Sequence, residues 1–145
     1  MNDTLRRRTG GCECGAVRFE VSGPVRGIID CWCGQCRRLH GTAAPHTQAR
    51  IDQISMLEDK GLAWRQTSSF GRRAHCQECG SRLFFELRDN PAGMRSISAG
   101  CFDEPSNLTV IGHIFVDDAP DHAFLDDGLP RHGQSWTGEP PAFFD

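Results

Sequence analysis

Seven of the eight cysteines stand in three tight groups, and clustered thiolates are soft ligands of the kind that hold zinc. The groups are Cys12-Glu13-Cys14, Cys31-Trp32-Cys33-Gly34-Gln35-Cys36 and Cys76-Gln77-Glu78-Cys79, with Cys101 alone. Cys76 and Cys79, followed by Gly80, have the spacing of a zinc knuckle, in which a tight turn brings two thiolates and the adjacent backbone to one ion. Two ligands do not complete a tetrahedral structural site. Cys12 and Cys14, entering a strand just after Gly10-Gly11, supply the other pair from far away in sequence. A zinc ion so held would pin the N-terminal strand to the middle of the chain.

The middle group differs. Cys31, Cys33 and Cys36 offer three thiolates within one short turn and leave a tetrahedral ion one ligand short, which is the condition of a catalytic site. Zinc with three thiolates carries net negative charge, so it is a poor generator of hydroxide and better suited to binding and activating another thiolate. Two other readings stay open at this point. His40, one helical turn beyond Cys36, could close the site and leave two structural zincs without chemistry. Alternatively the three cysteines are redox-active without metal, which leaves Cys31 without a role. The expected content is two zinc ions per chain.

The elements that must position these ligands are mostly strands. Val17, Phe19 and Val21 alternate with Arg18, Glu20 and Ser22, the pattern of a half-buried antiparallel strand. The same period predicts strands with Leu83, Phe85 and Leu87 on one face, with Ile97, Ala99 and Cys101 on one face, and along Leu108, Val110, Ile114 and Val116. Turn chemistry separates them at Ser22-Gly23-Pro24, Asp89-Asn90-Pro91 and Asp103-Glu104-Pro105. One short helix is expected, leaving Cys36 through Arg37, Arg38, Leu39 and His40. The fold class is therefore mainly β, antiparallel, with little helix. Residues 1–9 read as a flexible N-terminal tail carrying the solvated cluster Arg6 to Arg8, residues 10–136 as one zinc-binding domain, and residues 137–145 as a C-terminal tail.

Composition narrows the function classes. A chain of 145 residues with 38% hydrophobic and 24% charged residues is an ordinary single globular domain. No long apolar run predicts a signal peptide or membrane span, so the expected location is cytoplasmic, where cysteines stay reduced and serve metals rather than disulfides. The net charge of -3, from 16 Lys and Arg against 19 Asp and Glu, gives no electrostatic footprint for nucleic acid.

These motifs together resemble the glutathione-dependent formaldehyde-activating enzyme family, whose domain also occurs in centromere protein V. The resemblance rests on Gly10 to Gly15 (Gly-Gly-Cys-x-Cys-Gly), on Cys31 to Arg37 with Gly41, on Cys76 to Gly80, on Ser98 to Asp103 and on Asp126 to Pro130. It implies a Mss4-like, β-tent fold. It also implies that Cys12, Cys14, Cys76 and Cys79 hold a structural zinc and Cys31, Cys33 and Cys36 a catalytic one. The implied chemistry is that of a carbon-sulfur lyase acting on a thiol adduct, with glutathione as the thiol and formaldehyde or a related small carbonyl as its partner. Arg37, Arg38 and His40 follow the ligand turn and are candidate substrate contacts. His40, His46 and His75 are candidate proton carriers, and Trp32 and Trp64 candidate pocket walls. Trp32 and Cys101 depart from the family pattern. A non-catalytic, zinc-stabilised binding module is the alternative function.

Overall fold

The computed structural model describes residues 6–145. Its elements are β1 (Arg7–Gly11), β2 (Arg18–Ser22), β3 (Val25–Arg26), β4 (Ile28–Cys31), α1 (Gly34–His40), β5 (Ala44–Arg50), β6 (Ile54–Glu58), β7 (Leu62–Gln66), β8 (Gly71–Cys76), β9 (Arg82–Leu87), β10 (Met94–Ser98), β11 (Val110–Ile114) and β12 (Phe143–Phe144). The chain is mainly β with one short helix, as its alternating apolar residues predict. β2 shows the rule directly, since Phe19 and Val21 are fully buried and their neighbours face outward.

A three-stranded sheet, β1-β2-β6, packs on a seven-stranded sheet ordered β11-β4-β5-β10-β9-β8-β7. The core between them holds Val17, Phe19, Leu83, Phe84 and Ile97, with the Phe19 ring edge-on to Phe84 at 5.3 Å and to Phe102 at 5.7 Å. Gly10 allows this closeness, because a Cβ there would lie 2.5 Å from the Cys101 carbonyl oxygen and 2.8 Å from the Phe19 ring. The β4–β11 pair is parallel, whereas every other strand ladder among the described residues is antiparallel.

Register assigns the two faces of the large sheet. Ala74, Phe84, Ile97 and Thr47 lie side by side across β8, β9, β10 and β5 and are buried on the core side. One residue along each strand, Arg73, Phe85, Ser96 and Gln48 form the parallel row on the opposite face. That second face is not packed by another sheet, and the candidate site is built on it.

Four sequence expectations need correction. Leu83, Phe85 and Leu87 do not share a face. Ala74 pairs with Phe84 while His75 pairs with Arg82, so Leu83 is the extra residue of a bulge that reverses the phase of β9. Cys101 is not on a strand, because β10 ends at Ser98 and Ala99–Cys101 forms a 3-10 turn, where Cys101 donates to the Arg82 carbonyl at 3.2 Å. Val116 lies beyond β11 in the 3-10 turn Val116–Asp118. Residues Arg7 to Thr9, expected in a flexible tail, are strand. Arg8 is buried, with Nε donating to the Ser106 carbonyl at 2.9 Å and Nη2 to the Asp145 carbonyl at 2.6 Å. The rest of that expected tail, Met1 to Leu5, lies outside the described residues. At the other end the C-terminal segment closes through β12, which pairs with β3. No helix among the described residues is long and apolar enough to cross a membrane.

Candidate metal centres

The connection from β1 to β2 carries Cys12 and Cys14, while Cys76 ends β8 and Cys79 lies in the turn to β9. The four sulfurs lie within 4.8 Å of one another. The Cys12–Cys14 and Cys14–Cys76 sulfur separations are 3.7 and 3.8 Å. Sulfurs bound at about 2.3 Å to one tetrahedral ion stand about 3.8 Å apart, so the donor set fits zinc. Backbone and hydroxyl donors already serve the sulfurs: Val17 N–H donates to Cys12 at 3.2 Å, and Ser81 Oγ lies 3.2 Å from Cys79. The Ser81 hydroxyl is the main reason the Cys79 thiol falls to about 5. Gly80, at φ +85°, makes the knuckle turn that returns its N–H to the Cys76 carbonyl at 2.8 Å.

The second group sits where β4 ends and α1 begins. Cys33 caps the helix by accepting from the Cys36 N–H at 3.3 Å, and Gly41 at φ +83° ends it. This turn folds Cys31, Cys33 and Cys36 together, their sulfurs within 4.8 Å of one another. Crowded thiols compete for protons. Cys33 drops to about 2 because the thiols of Cys31 and Cys36 donate to it, while Cys31, as donor to Cys33, is pushed far above the ordinary thiol range. A metal ion would replace those protons and ionise all three. His40 is not part of the group; its ring packs edge-on to His46 at 5.5 Å. The eight cysteines are all free thiols.

The three sulfurs open on a cleft of about 720 Å³ on the free face of the large sheet. Its floor is the row of Ile29, His46, Gln48, Ser96, Phe85 and Arg73 that register placed there. Arg73 is buried and reaches Cys36 Sγ at 3.4 Å, while Gln35 Oε1 accepts from the same guanidinium at 3.1 Å. Arg26, held to about 10 by burial, donates to the His46 carbonyl at 2.8 Å. Burial, then the charges of His40 and Arg73, lowers His46 to about 3, so its ring is neutral at physiological pH. Phe115 closes one wall with φ +56° and ψ +37°. That is a left-handed backbone that costs a bulky residue about 1–3 kcal/mol and persists where surrounding structure demands it.

Other sequence candidates fall elsewhere. Arg37 and Arg38 do not line the thiolate cleft, and neither does His40. Arg38 instead faces an adjoining depression with Arg65, Arg73, Arg82 and His75. Trp64 stacks on Phe84 at 6.1 Å with the Arg72 guanidinium above it, so it belongs to the packing. Trp32 is buried and donates through Nε1 to His113 Nδ1 at 3.1 Å, and His113 Nε2 meets Asp127 Oδ2 at 2.7 Å. Because Nδ1 accepts, Nε2 carries the proton, and the Asp127–His113–Trp32 chain fixes the residue between the first two thiolates. Arg26, Arg73 and Phe115 were missed by sequence reasoning. No local signal marked Arg73, because Ala74 puts Arg72 in phase with the core and Arg73 on the opposite face of β8.

Comparison with known proteins agrees with this geometry. Residues 7–118 match the family model described as glutathione-dependent formaldehyde-activating enzyme. The chain is 27% identical over 113 residues to an uncharacterized lyase of Schizosaccharomyces pombe, covering 77% of this chain and 80% of that protein. It also superposes on the crystal structure of a Rhodobacter sphaeroides protein with a TM-score of 0.58 at 23% identity, over 72% of this chain and 98% of that one, a likeness of fold. With the family match spanning β1 to beyond β11 and taking in both cysteine sets, the chain belongs to the glutathione-dependent formaldehyde-activating enzyme family.

Proposed function

We propose that the protein is a zinc-dependent enzyme of the carbon-sulfur lyase type, joining a thiol to a small carbonyl or releasing it from the adduct. Glutathione with formaldehyde is the pair for which the family is named. In this reading Cys12, Cys14, Cys76 and Cys79 hold a structural zinc, Cys31, Cys33 and Cys36 a catalytic one, and the protein works in the reducing cytoplasm. The observation that carries it is a group of three sulfurs, with no fourth protein ligand among the described residues, opening on a cleft large enough for a small molecule. Zinc held there would lower the pKa of an incoming thiol.

The chain's own residues supply the rest. Arg73 shares the charge of the Cys36 thiolate, which leaves the donor set able to tolerate one more anionic sulfur. His46 offers a neutral ring beside the sulfurs, a hydrogen-bonding group that adds no charge. Phe115 and Ile114 keep water from the sulfurs by packing against their cluster. The addition is balanced without a further reactant: the sulfur–carbon bond forms, the carbonyl π pair moves to oxygen, and the thiol proton ends on that oxygen.

Cobalt substitution tests the open position. Glutathione or 2-mercaptoethanol should alter the cobalt ligand-field and charge-transfer bands of the parent protein, and Cys36→Ser should remove that response. Spectra that respond to thiols only after His40→Ala would show the site closed by that histidine and would return the protein to the class of zinc-stabilised binding modules.

A further inference from the structure

The charges and walls of the thiolate cleft restrict which thiol it can take. This rests on the open-site reading above. Three thiolates and one divalent ion leave one net negative charge, and a fourth thiolate makes it two. Among the described residues Arg26 and Arg73 are the two arginines that line the cleft, and no aspartate or glutamate does. Arg26 is committed to the carbonyls of Gly27 and His46, and Arg73 to Cys36 and Gln35. The two arginines therefore balance the four sulfurs and their ion, with no cation left for a substrate carboxylate and no acid for a substrate ammonium.

The remaining surface is mainly apolar, with uncharged Gln48, Ser68, Ser96 and Ser135 among its lining. Ile29, Phe70, Phe85, Leu87, Ile114 and Phe115 surround the space above the sulfurs. Phe70 and Leu87 are 61% and 49% exposed, large apolar side chains at a rim where solvent contact would favour polar ones. Phe115 is held in its left-handed conformation against the sulfur cluster, so an aromatic wall is maintained there against backbone preference.

We propose that the cleft selects a small thiol with an apolar, uncharged body, aryl or branched alkyl, over a peptide thiol bearing two carboxylates. Calorimetric titration of the zinc-loaded protein with phenylmethanethiol, 2-mercaptoethanol and glutathione tests this. Phenylmethanethiol should bind about ten-fold tighter than either of the others, the gain expected from covering part of one aromatic ring. Phe70→Ser, at an exposed rim position that should not disturb folding, should weaken phenylmethanethiol more than 2-mercaptoethanol and so lower that preference. Leu87→Arg should strengthen glutathione binding by supplying the missing cation. Glutathione binding as tightly as phenylmethanethiol in the parent protein would overturn the proposal. If Arg65→Ala or Arg82→Ala then weakened glutathione, its carboxylates would be placed in the adjoining basic depression. Failure of all three thiols, 2-mercaptoethanol included, would instead remove the open-site reading itself and this inference with it.

Discussion

A thiolate that accepts a hydrogen bond from guanidinium gives up part of its charge, and Cys36 has such a donor in Arg73 at 3.4 Å. The bond also fixes the thiolate's direction, because Gln35 and the face of Phe85 hold the guanidinium from two other sides. Arg73→Gln should therefore weaken metal binding at the three-cysteine site by about ten- to a hundred-fold while leaving the four-cysteine site unchanged. Competition with a chromophoric chelator reads the two affinities separately, and equal weakening at both would show a general loss of structure instead. The cysteines themselves were legible in the sequence, because ligands on one turn must be spaced by one to three residues. Arg73 was not, since it arrives from a different strand and nothing local distinguishes it from Arg72 except the phase of β8. His40 illustrates the converse: correct helical spacing placed it near Cys36 in sequence, yet its ring turns to His46.

At the scale of elements, strands are secured by single polar contacts as much as by ladders. Asp103 accepts from Thr9 Oγ1 at 2.6 Å and from Arg18 Nη1 at 3.2 Å, and its N–H donates to the Thr9 carbonyl at 2.9 Å. It thereby ties the β1–β2 hairpin to the turn after β10. Arg18, then Thr9, holds its carboxyl at about 2. A folded-state pKa below the unfolded one contributes stability that is present above about pH 4 and lost as pH falls toward 2. Asp103→Asn should thus lower the thermal midpoint by the same modest amount throughout about pH 6 to 8, the pair being half-exposed and worth at most about 1 kcal/mol. A decrement that varies across that range would assign the effect to another group. Strand β2 and helix α1 were legible because each follows its own period without interruption. The face of β9 was not, because one bulge at Leu83 inverts every side chain after it, and a bulge leaves no periodic trace in six residues. The parallel pairing of β11 with β4 was equally hidden, being a contact between segments some eighty residues apart that no local pattern encodes.

The whole molecule makes its second site by bringing a side chain of a distant strand to the turn after β4. β8 lies four strand spacings from β4 in the order β4-β5-β10-β9-β8, about 19 Å if the sheet were flat. Yet Arg73 of β8 touches Cys36, just beyond β4. Helix α1 and the long Arg73 side chain bridge that span over the free face, and β8 itself is tied to the four-cysteine group, in which Cys76 ends β8 while Cys12 and Cys14 come from the β1–β2 connection. That group links two sheets, whereas the three-cysteine group closes only one local turn. The two should therefore be coupled in one direction. Cys79→Ser should cost several kcal/mol, on the scale of structural zinc binding, and should also weaken metal binding at the three-cysteine site, because β8 carries Arg73 as well as Cys76. Cys33→Ser should empty the second site with little change in the thermal midpoint and no change in the first. Thermal unfolding at equal protein concentration, with chelator competition on the folded variants, measures both halves. Equal midpoints for Cys79→Ser and Cys33→Ser would refute the division of roles, and an unaltered second-site affinity in Cys79→Ser would show that the position of β8 is held by the core without the first metal.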